Sequence, residues 1–217
     1  MTLQTNIPVH EMAYRKLRDL ILFGEIAPGQ AVTIQGLVER LEAGMTPVRE
    51  AIRRLTSEGA LNLQDNRRII VPELSGQNMS ELYFLRKTLE PQLVALATAR
   101  ADKEDIVQLA RIDADLDHSI NTGDINLCLR KNYEFHKELY RLADAPILAT
   151  VADGLWMRYG PSLRVVCGRV GTLGLTDQHK ETLTAMSLGD AEKAAEAILA
   201  DVTQGIDQIK SSMISKS

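Results

Sequence analysis

Asn132 and His136 stand four residues apart, so on a helix they project from one face about one turn apart. That spacing allows two side chains to share a metal ion. A second group with chemical potential is the run Thr46-Pro47-Val48-Arg49-Glu50-Ala51-Ile52-Arg53-Arg54-Leu55. Threonine is a favoured helix N-cap and proline a favoured first helical residue, so a helix is expected to open at Pro47 with Thr46 as its cap. Val48, Ala51, Ile52 and Leu55 then face inward, and Arg49, Arg53 and Arg54 face largely outward. His10 and His118 have no such partners and read as surface residues. Cys128 and Cys167 are too few for a disulfide scaffold and lack the CxxC spacing of zinc or redox motifs, so they read as small apolar residues.

The elements that must position these groups follow from periodicity. Apolar residues from Val9 to Gly24 recur at helical spacing, and the Pro28-Gly29 pair makes a tight turn. A second helix starts near Thr33 and carries Ile34, Leu37, Val38 and Leu41 on one face, and Gly59 stops the third. From Ala60 to Pro72 the pattern changes to two short strands, Leu61-Leu63 and Ile69-Val71, around the polar tip Gln64-Asp65-Asn66-Arg67-Arg68. Three helices and a hairpin in that order predict a winged helix-turn-helix over 1–73. In such a domain the third helix enters the DNA major groove, and the hairpin tip reaches phosphate or the minor groove.

Beyond Pro72 the strand signals end. Amphipathic segments predict helices at about 75–101, 103–122, 124–143, 146–168, 172–188 and 190–212. Residues 74–217 are thus expected to form an all-helical bundle of six to seven helices, making the chain mainly α. In the aromatic stretch Trp156-Met157-Arg158-Tyr159-Gly160-Pro161 the Gly-Pro pair is expected to kink or break the helix.

Composition bounds the function. The chain has 217 residues with 45% hydrophobic content, ordinary for a globular protein. It has no apolar run of membrane-spanning length, and its first residues lack signal-peptide regions, so a cytoplasmic protein without membrane contact is expected. The net charge of −4 is unusual for a nucleic-acid binder, but it is unevenly placed. Up to Ser75, nine Lys/Arg balance nine Asp/Glu; beyond it, sixteen face twenty.

The runs Tyr14 to Leu17, Gly24-Glu25-Ile26-Ala27-Pro28-Gly29 and Thr46 to Leu55 with Glu58-Gly59 resemble the GntR family of bacterial regulators. Leu85 to Glu90 and Asn132-Tyr133-Glu134-Phe135-His136 resemble its FadR-type branch with an FCD effector domain. The resemblance implies a dimeric regulator of double-stranded operator DNA, with two half-sites about one helical turn apart. It implies DNA contacts at Thr46, Pro47, Arg49 and Arg53, and at Arg67 and Arg68 on the wing. Arg49 suits a guanine edge or a phosphate, since a guanidinium donates two parallel hydrogen bonds; the competing reading pairs it with Glu50 or Glu42. Met45 stands where family members typically carry an arginine, and Gln35 replaces a basic position of the second helix. Both changes remove donors and point to a different operator, with Met45 making apolar contacts such as to a thymine methyl.

For the helical half, the resemblance adds His179 and Asp201 to Asn132 and His136 as metal ligands, with Asp201 where the family usually has a last histidine. Such N/O ligation suits Zn, Ni, Mn or Fe. The alternative is a polar pocket without metal. Arg86 enters the same bundle in the family alignment and either binds a small carboxylate effector or pairs with Glu90. Tyr133 and Arg158 join it as effector-binding candidates, with Tyr159 and Arg164 behind them. The expected function is a ligand-responsive regulator, a repressor in the first reading. A sensor whose effector is the metal itself is the second reading. A metalloenzyme is the third, weakened because no motif supplies a general base.

Overall fold

The structure is a computed structural model that describes residues 7–64, 68–170 and 177–214. Arg67 lies outside the described residues.

The N-terminal unit comprises α1 (Val9–Leu22), β1 (Ala31–Val32), α2 (Ile34–Leu41), α3 (Met45–Ser57), β2 (Asn62–Leu63) and β3 (Ile69–Ile70). Helix α1 buries Ala13, Leu17, Ile21 and Leu22, mainly against the inward face of α3 formed by Val48, Ala51, Ile52 and Leu55. Thr33 caps α2 by accepting a hydrogen bond from the Gly36 N–H. The wing is a three-stranded antiparallel sheet in the order β1-β3-β2, with Ile70 opposite both Ala31 and Asn62. The two-residue β1, which the sequence reading did not anticipate, is too short to show an alternating pattern.

Helix α3 starts earlier than expected. Gly44 is the N-cap, in extended conformation and without a side-chain cap bond, so Thr46 lies within the first turn instead of capping it. Pro47 still fits, because the first four helical N–H groups have no intrahelical acceptor and proline lacks one of them.

The second unit comprises α4 (Gly76–Arg100), α5 (Lys103–Thr122), α6 (Ile125–Leu142), α7 (Pro146–Val170), α8 (Gln178–Ser187) and α9 (Ala191–Ile214). Polar caps set its boundaries. Ser75 with Asn78 and Asp102 with Asp105 form reciprocal capping boxes, and Asp124 and Asp177 accept from Leu127 and Lys180 N–H groups. Helix α4 packs along α9, α5 along α6 and α8 along α9, enclosing side chains from α6 and α7.

Helix α7 runs unbroken through Gly160-Pro161, contrary to the expected break. The glycine answers a packing need. A β-carbon at Gly160 would overlap the Leu22 carbonyl at the end of α1. The residue therefore lets the N-terminal unit seat directly on the helical bundle.

Candidate functional site

The exposed start of α3 has the makings of a nucleic-acid contact surface. Met45, Thr46, Arg49 and Arg53 are exposed, and Pro47 is half-buried. Arg49 and Arg53, four apart on one face, make no ion pair among the described residues, so pairing of Arg49 with Glu42 or Glu50 is not seen. Thr46 lies in the first turn of α3, where backbone N–H groups have no intrahelical acceptor, an arrangement suited to phosphate. Arg54 is exposed as well, in line with the outward reading. It stacks 3.6 Å from the Tyr14 ring centroid and pairs with Glu11 and Glu58, tying α3 to α1. Gln35 is exposed, its amide donating to Glu39 at 3.2 Å. Arg68 is exposed at the base of the wing, where its carbonyl accepts from the Gln64 N–H.

The second site lies inside the bundle. His136 of α6, His179 of α8 and Asp201 of α9 bring one ligand atom each to within 4.8 Å of one another. Both imidazoles are buried, and Asp201 is partly exposed. His136 Nδ1 lies 2.8 Å from Glu90 Oε2, which fixes that nitrogen as the donor and leaves Nε2 facing the cluster. Nε2 sits 3.1 Å from Asp201 Oδ2 but is not aligned for a hydrogen bond. His179 stacks on Phe135 at 3.9 Å, with Nδ1 3.3 Å from Asp113 and Nε2 3.8 Å from Asp201.

These nitrogens are the unusual feature. His136 Nε2 and both nitrogens of His179 are buried without a hydrogen-bond partner. Orphaned buried donors or acceptors cost about 1–3 kcal/mol each, and here His136 Nε2 and one nitrogen of His179 converge on Asp201. Burial alone would push the His136 imidazole down, but the Glu90 and Asp201 carboxylates on its two sides raise it to about 9. Burial raises and His136 lowers Asp201, which ends at about 2. Two imidazoles and a carboxylate, backed by Glu90 and Asp113, fit a divalent metal.

A cavity of about 270 Å³ opens onto this cluster. Asn132, His179 and Asp201 line it, together with Tyr159, Cys128 and Cys167. Burial pushes both thiols up, Cys167 to about 12, so the cysteines act as wall and not as thiolate ligands.

Three effector candidates fall elsewhere. Arg86 is buried behind Tyr159 and bonded to Glu90, stacked over the Trp156 and Tyr159 rings; the pairing with Glu90 is the one observed. Tyr133 points away from the cavity, since consecutive helical residues diverge by about 100° and Asn132 takes the cavity side. Its hydroxyl bonds to Asp153, and Arg18 of α1 donates to both, at 2.8 Å to Tyr133 and 3.0 Å to Asp153. Arg158 extends under the wing, where a β-carbon on Gly59 would overlap its guanidinium. Arg164 also serves the joint, donating to Asn126 and reaching the Phe23 carbonyl.

Sequence reasoning missed Trp156 as a connector. Its ring lies edge-on to His136 at 5.1 Å and to Tyr133 at 5.4 Å, joining the histidine cluster to the Arg18 clamp. Phe135 and Asp113, which hold His179, were also missed. Phe135 stood in the Asn132 to His136 run without a role of its own, and Asp113 in a mixed helical run.

A winged helix-turn-helix seated on a helical bundle with a buried histidine–carboxylate cluster is the architecture of a DNA-binding regulator. The family comparisons agree: residues 9–71 match the "Bacterial regulatory proteins, gntR family" and residues 81–204 the FCD domain. The chain belongs to the GntR family of transcription regulators, with an FCD domain. Among relatives, it is 31% identical over 147 residues to the HTH-type transcriptional regulator McbR of Escherichia coli, covering 68% of this chain and 66% of McbR. It is 28% identical to the Nta operon transcriptional regulator of Aminobacter aminovorans, covering 84% and 85% of the two chains. The solved structure of E. coli McbR/YncC matches with a TM-score of 0.89 at 25% identity, over 95% of this chain and 99% of that one. A regulator from Rhodococcus sp. RHA1 shares the fold at a TM-score of 0.77. The matched families and relatives are regulators, which leaves the metalloenzyme reading without support. Among the described residues no helix is long and apolar enough to cross a membrane.

Proposed function

We propose that this protein is a homodimeric, sequence-specific DNA-binding repressor whose operator affinity changes when a small molecule occupies the bundle cavity above a divalent metal. The observation that carries the reading is the convergence of the unpartnered His136 Nε2 and a His179 nitrogen on Asp201, beside the cavity that His179 and Asp201 line. His136, His179 and Asp201 would hold the ion, with Asn132 beside them on the cavity wall. When bound, the metal supplies a Lewis-acidic anchor for an effector oxygen.

The chain's own residues offer a route from cavity to DNA. Helix α6 carries Asn132 and His136 toward the cavity and Tyr133 toward α1, so a shift of α6 acts on the Arg18–Tyr133–Asp153 clamp. Helix α1 in turn is packed against the recognition helix α3. Effector binding thereby biases the placement of the DNA-binding unit, the linkage through which a ligand changes operator affinity. Exposed Phe84 and Leu85 on α4 give an apolar patch that supports association with a second copy. Two copies would present two α3 helices to successive turns of the major groove.

The test combines native mass spectrometry and metal analysis of the full chain with gel shifts on the DNA upstream of its own gene. A metal-containing dimer that binds this DNA is expected. Monomer without metal, or no retardation, would refute the reading. A change in retardation on adding metal alone would favour the second reading, in which the ion is the effector.

A further inference from the structure

We propose that the joint between the two units holds a second binding site, separate from the bundle cavity, for a zwitterion with an apolar body, namely an apolar amino acid or a short apolar peptide. A cleft of about 630 Å³ lies at this joint, within the roughly 300–1,000 Å³ common for small-molecule sites. The N-terminal unit contributes the end of α3, β2 and the chain after β3; the bundle contributes α4 and α7. Gly154 and Arg158, one turn apart, share the face of α7 that borders the cleft.

Charge defines the ligand. Arg158 is exposed, and among the described residues neither Arg158 nor Glu73 makes an ion pair, although both border this one cleft. Glu81, also at the cleft, accepts only from the Gln77 amide, at 3.1 Å. Glu58, by contrast, is engaged by Tyr14 and Arg54. A guanidinium and two carboxylates that share a cleft without pairing complement a molecule carrying one carboxylate and one ammonium. The guanidinium can hold the carboxylate through two parallel hydrogen bonds, and an ammonium has three donors to share between Glu73 and Glu81. A ligand bearing the carboxylate alone would face those glutamates unanswered. An amine alone would face Arg158.

The two glycines of the cleft shape it. Gly59, at φ +73°, lies so close to Arg158 that a β-carbon there would overlap the guanidinium, so the backbone of the N-terminal unit seats this cation. A β-carbon at Gly154 would meet nothing within 4 Å. Packing among the described residues therefore does not call for glycine at this helical position, where it lowers stability relative to alanine. Its bare backbone leaves room beside Arg158 for the backbone of a ligand to approach closely. Leu82, Leu85 and Leu155 supply an apolar wall for the ligand's side chain. A molecule held by Arg158 on one side and Glu73 on the other touches both units, and so biases the placement of the DNA-binding unit on the bundle.

The experiment titrates the full chain by calorimetry with L-leucine and L-leucyl-L-leucine. The controls are 4-methylpentanoate, which is leucine without its ammonium, and 3-methylbutylamine, which is leucine without its carboxylate. At least one zwitterion is expected to bind about ten-fold or more tightly than both controls, as loss of a hydrogen-bonded charge would give. Which of the two binds more tightly separates a free amino acid from a peptide. Gly154→Leu, which fills the cleft without removing any contact, is expected to abolish this binding while thermal denaturation shows the protein folded. Arg158→Gln, at an exposed position, is expected to weaken it about ten-fold or more. The proposal is overturned if neither zwitterion binds, or if zwitterion binding survives both substitutions. It is equally overturned if the acid or the amine matches the zwitterion and is lost with it in Gly154→Leu.

Discussion

Arg49 is the fifth residue of α3, exposed and without an ion-pair partner among the described residues. A bidentate contact to a base is worth about 1–3 kcal/mol, so Arg49→Ala is expected to weaken operator binding about five- to 150-fold in a gel-shift titration. Unchanged affinity would remove it from the interface. Met45, 41% exposed at the same helix end, tests specificity instead of strength. Binding-site selection with Met45→Arg is expected to return a different preferred sequence, since a bidentate donor replaces an apolar side chain. In the bundle, Asp113→Asn removes the carboxylate beside His179 Nδ1 while leaving every proposed ligand in place. Loss of such supporting groups typically costs about 10–100-fold in metal affinity, measurable by competition with a chelator.

At the scale of elements, the joint between the two units deserves direct tests. Gly→Ala within a helix ordinarily stabilises by roughly 0.5–1 kcal/mol. At Gly160 the sign is expected to invert, because a β-carbon would meet the Leu22 carbonyl and force α1 from α7. Overpacking of this kind costs about 1–3 kcal/mol, and thermal denaturation of Gly160→Ala should show it. Tyr133→Phe removes the hydroxyl that bonds Asp153 and accepts from Arg18 without altering the cavity. It is expected to retain DNA and metal binding but to lose much of the effector's influence on operator affinity; an unaltered response would show that coupling runs elsewhere.

For the whole molecule, net charge and function point in opposite directions. A chain of net charge −4 binds DNA only through local placement of its arginines, so operator affinity should fall steeply with salt. If Arg49 neutralises a phosphate, Arg49→Ala lowers the log–log salt slope by about 1; if it reads a base, the slope stays and sequence preference relaxes.

The sequence by itself determined the local order of the molecule. Helix spacing of apolar residues, caps such as Thr33, Asp102 and Asp124, and the change of period after Ala60 depend on neighbours a few residues away, so they could be read from the chain. The i, i+4 pair Asn132 and His136 was legible for the same reason, and resemblance supplied His179 and Asp201 as its partners. Long-range packing decided the rest. It made Gly160 a contact point and not a break, moved Tyr133 and Arg158 from the cavity to the joint between units, and gave Arg86 to Glu90. It also set Asp113, Phe135 and Trp156 around the histidines. None of these roles is encoded in spacing, because each depends on which face of one helix meets another, a choice fixed only when six helices share one core.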